Sequence, residues 1–326
     1  METKYEVSPF ECVWIGEALK LAEQQPEWLV QNMISDTTTL IYGEAKSGKS
    51  FLVSALIASL VTGEPFLGEA VPQDRAFSVA VGWTDDAGQR EYATRIMQVV
   101  PEDVQPRVGL YHLPPMTERL WEQWFDRVMA DGHNVVVVDN LSQALESGSI
   151  NDDATVRKFF NGVRRFTRAG IPVIVVAHSS DKTGMHGQKP DKPMGSGYIS
   201  QAVRWRVFVR RSRAGNMTLQ FSGNNAEPYE MTLRQGAGAR FDVIDTKTAE
   251  ALKAKAEGDA RARGKAKLDE NAALREWLNS NAAGMSQRQA AQAYADKHGM
   301  TFDAARNKIR RSGLVNEAGT WEFKAA

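Results

Sequence analysis

The residues Gly43-Glu44-Ala45-Lys46-Ser47-Gly48-Lys49-Ser50 fill the pattern G-x-x-x-x-G-K-S/T without a gap. Each position has a physical reason. Glycines let the backbone curl until several N–H groups point at one phosphate. A helix starting at the end of the loop turns its positive pole toward the same anion. Lys49 has the reach for β- and γ-phosphates, and Ser50 carries a hydroxyl that suits Mg2+. The chemistry on offer is nucleoside triphosphate binding, with ATP and Mg2+ as the expected cofactors.

A second acidic site follows four valines, in Val135-Val136-Val137-Val138-Asp139-Asn140. An apolar run ending in Asp is a Walker B pattern, and ligands of open α/β sheets bind at the carboxyl ends of the strands. Asp139 would hold the metal; the plainer alternative is that it caps the next segment. Hydrolysis also needs a carboxylate that positions water. Asn140 stands directly after Asp139, so that acid lies elsewhere. Asp85 and Asp86 follow an apolar stretch, 76–82, and are the candidates, with Asp86 ahead of Asp85. Their alternative role is to cap the helix that comes next. His178 ends the apolar run 173–177 and is placed to sense a γ-phosphate.

These groups need a scaffold, and the hydrophobic pattern supplies one. Strands are expected at 38–42, 76–82, 108–113, 134–139 and 171–177, alternating with helices at 50–62, 89–99, 118–131 and 153–169. Alternation of this kind implies a parallel α/β sheet, and an unbroken valine run implies a strand buried on both faces. Further strands are expected at 203–211, 217–222, 229–233 and 240–244. Residues 12–34 read as a helical lead-in. The expected division is a lead-in over 1–36, an α/β domain over 37–246, a linker over 247–270 and a small domain over 271–326. In that last part Ser286 caps a helix over 287–298, Gly299 ends it, and a third helix carries Arg306, Lys308, Arg310 and Arg311. Two short strands then complete the order of a winged helix-turn-helix, whose third helix (303–312) would enter a major groove of duplex DNA.

Composition narrows the remaining options. Forty basic and forty acidic side chains cancel, but residues 251–326 carry a net charge of +5 and residues 1–250 the balancing −5. The tail is therefore the part suited to a polyanion. A single cysteine, Cys12, rules out an internal disulfide framework and thiolate-rich metal sites. The histidines lack metal-ligand spacing. No apolar stretch approaches the ~20 residues of a membrane span, and residues 1–10 lack the apolar core of a signal peptide. A cytoplasmic setting is expected, bacterial or in a phage-infected host.

The order of motifs resembles the RecA-like superfamily and, within it, the RepA-type hexameric replicative helicases of plasmids and phages. The resemblance covers about residues 30–245. It implies a RecA-like core, a homohexameric ring, and an arginine finger offered to a neighbouring subunit. Gly195–Trp205 is similar to a family segment whose finger maps to Arg204, while Arg211-Ser212-Arg213 resembles the Lys-x-Arg finger of the DnaB-type helicases. Arg211, Arg213 and Arg204 compete for one role. The loop 180–195, with Lys182, His186, Lys189 and Lys192, would by resemblance line the channel and touch single-stranded DNA. Asp in place of the family's usual catalytic Glu, and one His at 178 where a pair is common, are departures. The function implied is an ATP-driven, ring-forming helicase or translocase. Its alternatives are a RecA-like recombination or repair ATPase that does not unwind, and a regulatory DNA-binding protein whose ATP site only switches assembly.

Overall fold

The computed structural model describes residues 12–24, 28–180, 192–212, 214–224 and 226–323. The chain divides into two compact units, Met1–Ala249 and Glu250–Ala326. The first opens with helix α1 (Ile15–Gln24) and a small antiparallel pair, β1 (Trp28–Val30) and β2 (Ile34–Ser35). It continues with β3 (Thr38–Gly43), α2 (Lys49–Thr62), β4 (Val79–Trp83), α3 (Gly88–Met97), β5 (Val108–His112) and α4 (Glu118–Ala130). Then come β6 (Val135–Asp139), α5 (Leu141–Ala144), α6 (Asp153–Arg168), β7 (Val173–His178) and α7 (Tyr198–Gln201). It closes with β8 (Trp205–Arg211), β9 (Met217–Gly223), β10 (Tyr229–Gln235) and β11 (Phe241–Lys247).

Nine of these strands form one sheet, in the order β11-β10-β9-β8-β3-β7-β6-β4-β5. The six from β8 to β5 are parallel, as the βα alternation requires. The remaining three extend the sheet as an antiparallel meander beyond β8. Strand pleating explains the valine run. Val135 and Val137 enter the core beneath α2 and α3, while Val136 and Val138 enter the core beneath α4 and α6. All four have no exposed surface. The strand can only sit in the middle of a sheet covered on both sides.

Two expectations change. The stretch 12–34 is helical only as far as Gln24; Trp28, Leu29 and Val30 form a strand instead. The reason is burial: Trp28 meets the indole of Trp205 edge-on at 4.9 Å, and Leu29 has no exposed surface. In the second unit, residues 249–281 form one helix, α8 (Ala249–Asn281), where composition suggests a partly helical linker followed by a separate helix. Its Ala, Lys, Glu and Arg content outweighs Gly258 and Gly264. After it come α9 (Gln287–His298), α10 (Phe302–Ser312) and the antiparallel pair β12 (Leu314–Glu317) and β13 (Thr320–Phe323). They share a core of Leu274, Leu278, Tyr294, Ile309 and Trp321. Ser286 and Gln289 form a reciprocal capping box on α9, and Gly299 ends it at φ 63°. Among the described residues, no helix is long and apolar enough to cross a membrane.

One glycine shows how tightly the α4–α6 layer is packed. A methyl group added to Gly162 would lie inside the indole of Trp121, which is 2% exposed. In an open helix Gly→Ala stabilises by about 1 kcal/mol. Here overpacking should override that gain, and Gly162→Ala should destabilise the chain by about 1–3 kcal/mol in denaturant melts. A stabilised variant would show that the layer yields.

Candidate nucleotide site

The phosphate loop connects β3 to α2, and its backbone already has the shape of an anion cradle. Lys46 at φ 61° and Gly48 at φ 97° adopt left-handed conformations, which turn successive N–H groups inward. α2 begins without a side-chain cap, so its first N–H groups remain free to meet a phosphate. Gly43 lies against the Val209 backbone of β8, leaving no room for a Cβ. Gly48 faces the Met217 methyl group in the same way. Both loop glycines are thus fixed by close approach, and Gly48 by its dihedral too.

Lys49 folds back over the loop. Its Nζ donates to the carbonyls of Gly43 (3.1 Å) and Glu44 (2.8 Å). Burial lowers its pKa, and the charge of Asp139 opposes that shift. The Ser50 hydroxyl donates to Asp139 Oδ2 at 2.8 Å. The loop and the end of β6, 89 residues apart in the chain, therefore meet directly. Ser47, 3% exposed, keeps a hydroxyl without a partner among the described residues, inside the cradle.

The Asp139 carboxylate is held at the ligand end of β6. Burial raises its pKa; hydrogen bonds from Tyr92 and Ser50 and the charge of Lys49 pull it back, while Asp85 adds a further push upward. Tyr92 of α3 donates to the same Oδ2 at 2.6 Å. Thr84 fixes the backbone beside it: its N–H and its hydroxyl both donate to the Asp139 carbonyl, at 2.9 and 3.1 Å. The sequence reading singles out neither Tyr92 nor Thr84. The one signal for Tyr92 is its i, i+4 spacing from Ile96 on an otherwise polar helix. The capping alternative for Asp139 fails, because Asn140 is the residue that caps α5, accepting from the Gln143 N–H.

Magnesium fits this donor set. Ser50 and Asp139 offer hard oxygens, and Mg2+ is usually held by one or two such groups with phosphates and waters completing the shell. Among the described residues, no cluster of three His, Cys, Asp or Glu could hold a metal by itself. When bound beside ATP, the ion would neutralise charge on the phosphates.

The other sequence candidates are placed as follows. Asp85 and Asp86 are exposed, just past β4. The cap position of α3 is Ala87, and no side chain caps that helix, so the capping alternative fails for both acids. The field of Asp85 reaches Asp139, which sets it nearer the phosphate end than the sequence ranking of Asp86 suggests. His178 ends β7 and pairs in register with Gly43, one strand over from the loop. Arg211 ends β8 at the same edge, exposed, with Nη2 on Gln235 and Nε on the Gly215 carbonyl. Arg204 lies at the opposite edge, where its N–H donates to the carbonyl of Thr38, the first residue of β3. It cannot reach the phosphate loop of its own chain. Arg213, Lys182, His186 and Lys189 fall outside the described residues; Lys192 is exposed.

A model of the AAA domain family AAA_25 matches residues 3–184, more than half of the chain. The chain belongs to this family. No curated protein matches it significantly. Among solved structures, a helicase ATPase domain is similar to it with a TM-score of 0.52 at 12% identity, over 72% of this chain and 100% of that one. Identity at that level speaks for the fold alone. Together, family, fold and loop make this AAA_25 chain a RecA-like P-loop ATPase.

Lys49 both touches the loop carbonyls and feels the charge of Asp139. Lys49→Ala should therefore abolish measurable ATP turnover while leaving the melting temperature of the nucleotide-free protein close to that of the parent. Unchanged turnover in a phosphate-release assay would show that hydrolysis occurs elsewhere.

Proposed function

We propose that this AAA_25 chain is an ATP-driven, ring-forming DNA helicase or translocase of the RepA type, acting in phage or plasmid replication. The observation that carries the reading is the position of Arg211. β8 runs beside the loop strand β3 and ends in an exposed arginine at the edge where the nucleotide would sit. A cation there, on the rim of the unit, suits the γ-phosphate of a neighbouring copy, and fingers supplied in trans stabilise the charge of the transition state. Arg213 and Arg204 are the other candidates. Similarity to a helicase ATPase domain supports hydrolysis as the energy source.

Asp85 is the preferred acid for positioning water, ahead of Asp86, because its charge reaches Asp139. His178 is the preferred sensor. It sits beside the loop strand, and the segment after it returns as an antiparallel bridge, Ser179 with Pro193. That bridge closes the stem of the loop 180–195, which would carry γ-phosphate status to single-stranded DNA. A homohexamer gives each site a neighbour's arginine. In the tail, α9, α10 and the β12–β13 pair follow the order of a winged helix-turn-helix. Arg306, Arg310 and Arg311 are exposed on α10, whereas Lys308 is tied to Glu270 at 2.7 Å. The three arginines are the groups available for duplex phosphates or base edges.

Two experiments test this. Arg211→Ala should lower ATP turnover on the order of a hundredfold or more while sparing ATP binding. Mixed with Lys49→Ala subunits, it should regain activity, because some shared sites then hold one intact loop and one intact arginine. No recovery would move the finger to Arg213 or Arg204, or remove it. Strand displacement on forked DNA should require ATP. ATPase stimulated by single-stranded DNA without displacement would favour a RecA-like ATPase that remodels DNA without unwinding it.

A further inference from the structure

α3 carries a tyrosine where the packing asks only for a ring. Tyr92 is 2% exposed, and its neighbours in the core include Leu56, Val79 and Ile96. A phenylalanine would fill that space. The hydroxyl adds a polar atom that must be satisfied inside the protein. It is satisfied by Asp139 Oδ2 at 2.6 Å, the oxygen that also accepts from Ser50 at 2.8 Å. Both side-chain donors thus converge on one oxygen of the carboxylate, Oδ2, and not on Oδ1.

The two donors on Oδ2 differ in what else they must do. Ser50 is the loop hydroxyl expected to turn toward Mg2+ when the nucleotide arrives. Lys49, whose charge also favours the ionised carboxylate, is then expected to swing to the phosphates. Tyr92 has no such second task. Its ring is locked in the core, and its hydroxyl is already aimed at the carboxylate. It is the donor that stays on Asp139 when the others leave.

We infer that Tyr92 is a positioning residue: it holds one oxygen of the Asp139 carboxylate so that the other is presented to the metal. The inference rests on reading Asp139 as the magnesium carboxylate. It also links the metal to the water-positioning acids, because α3 begins at Gly88, just after Asp86. Fixing Tyr92 to Asp139 therefore fixes the helix behind Asp85 and Asp86 against the same point.

The test is binding of ATPγS to the full-length chain, with Mg2+ and separately in EDTA, alongside thermal melts without nucleotide. Tyr92→Phe should weaken binding in Mg2+ by about tenfold or more, as expected for a lost hydrogen bond to a charged group. It should change binding in EDTA by less than about twofold. The apparent Mg2+ requirement should rise in parallel. In an Asp139→Asn background, Tyr92→Phe should add less than about a further twofold. Equal weakening in both conditions, or full additivity with Asp139→Asn, would reduce Tyr92 to a packing residue and overturn the inference. A wild-type chain that binds ATPγS equally well with and without Mg2+ would overturn the metal reading of Asp139, and this inference with it. A wild type that needs Mg2+, beside an unaffected Tyr92→Phe, would overturn this inference alone.

Discussion

An anion at the inner end of β6 is the constraint on which the site depends. Asp139 is carried into the protein by four valines without exposed surface, and a carboxylate in such a place is costly unless its oxygens are satisfied. Three parts of the chain answer that need. The loop sends Ser50, α3 sends Tyr92, and Lys49 adds a positive charge. Thr84, just past the end of β4, holds the backbone carbonyl of the same residue. Removing the charge would leave the side-chain donors and the lysine without a common target. The geometry of the nucleotide site is thus largely the geometry required to keep one carboxylate ionised.

How much of this can be read from the sequence follows from chain distance. The loop is a run of consecutive residues, and its meaning is local. The Asp139 strand is legible for the same reason, since a run of valines announces burial on both faces. Helices α2, α4, α6 and α9 fall close to their expected bounds because each has an apolar stripe or a clear cap. Tyr92 and Thr84 are not legible. They lie 47 and 55 residues from Asp139, and no spacing within their own segments reveals a partner across the sheet. The start of the chain misleads for a related reason: Trp28 looks helical beside its neighbours, and only the distant Trp205 makes it a strand residue.

The arginine candidates show what topology adds to a motif. Arg204 and Arg211 lie close together in the chain and look interchangeable as residue types. β8 separates them, from the edge of the sheet that begins β3 to the edge that ends in the phosphate loop. Residue type cannot rank them, but the direction of one strand can. The antiparallel strands β9 to β11 belong to the same lesson. Simple βα alternation predicts a parallel sheet and gives no warning that the sheet continues as a meander beyond β8.

The contact between Gly48 and Met217 has a mechanical meaning. Met217 is the first residue of β9, and the turn before it leads back to Arg211 at the end of β8. Its methyl group occupies the space that a side chain at position 48 would need. The loop cannot widen without pressing on this methionine, and the methionine cannot retreat without tugging the hairpin. A flexible thioether makes that linkage soft, closer to a spring than to a lever. Strain at one nucleotide would thus be delivered along a short stretch of chain to the arginine that faces the next, so adjacent sites in a ring would fire in sequence and not independently.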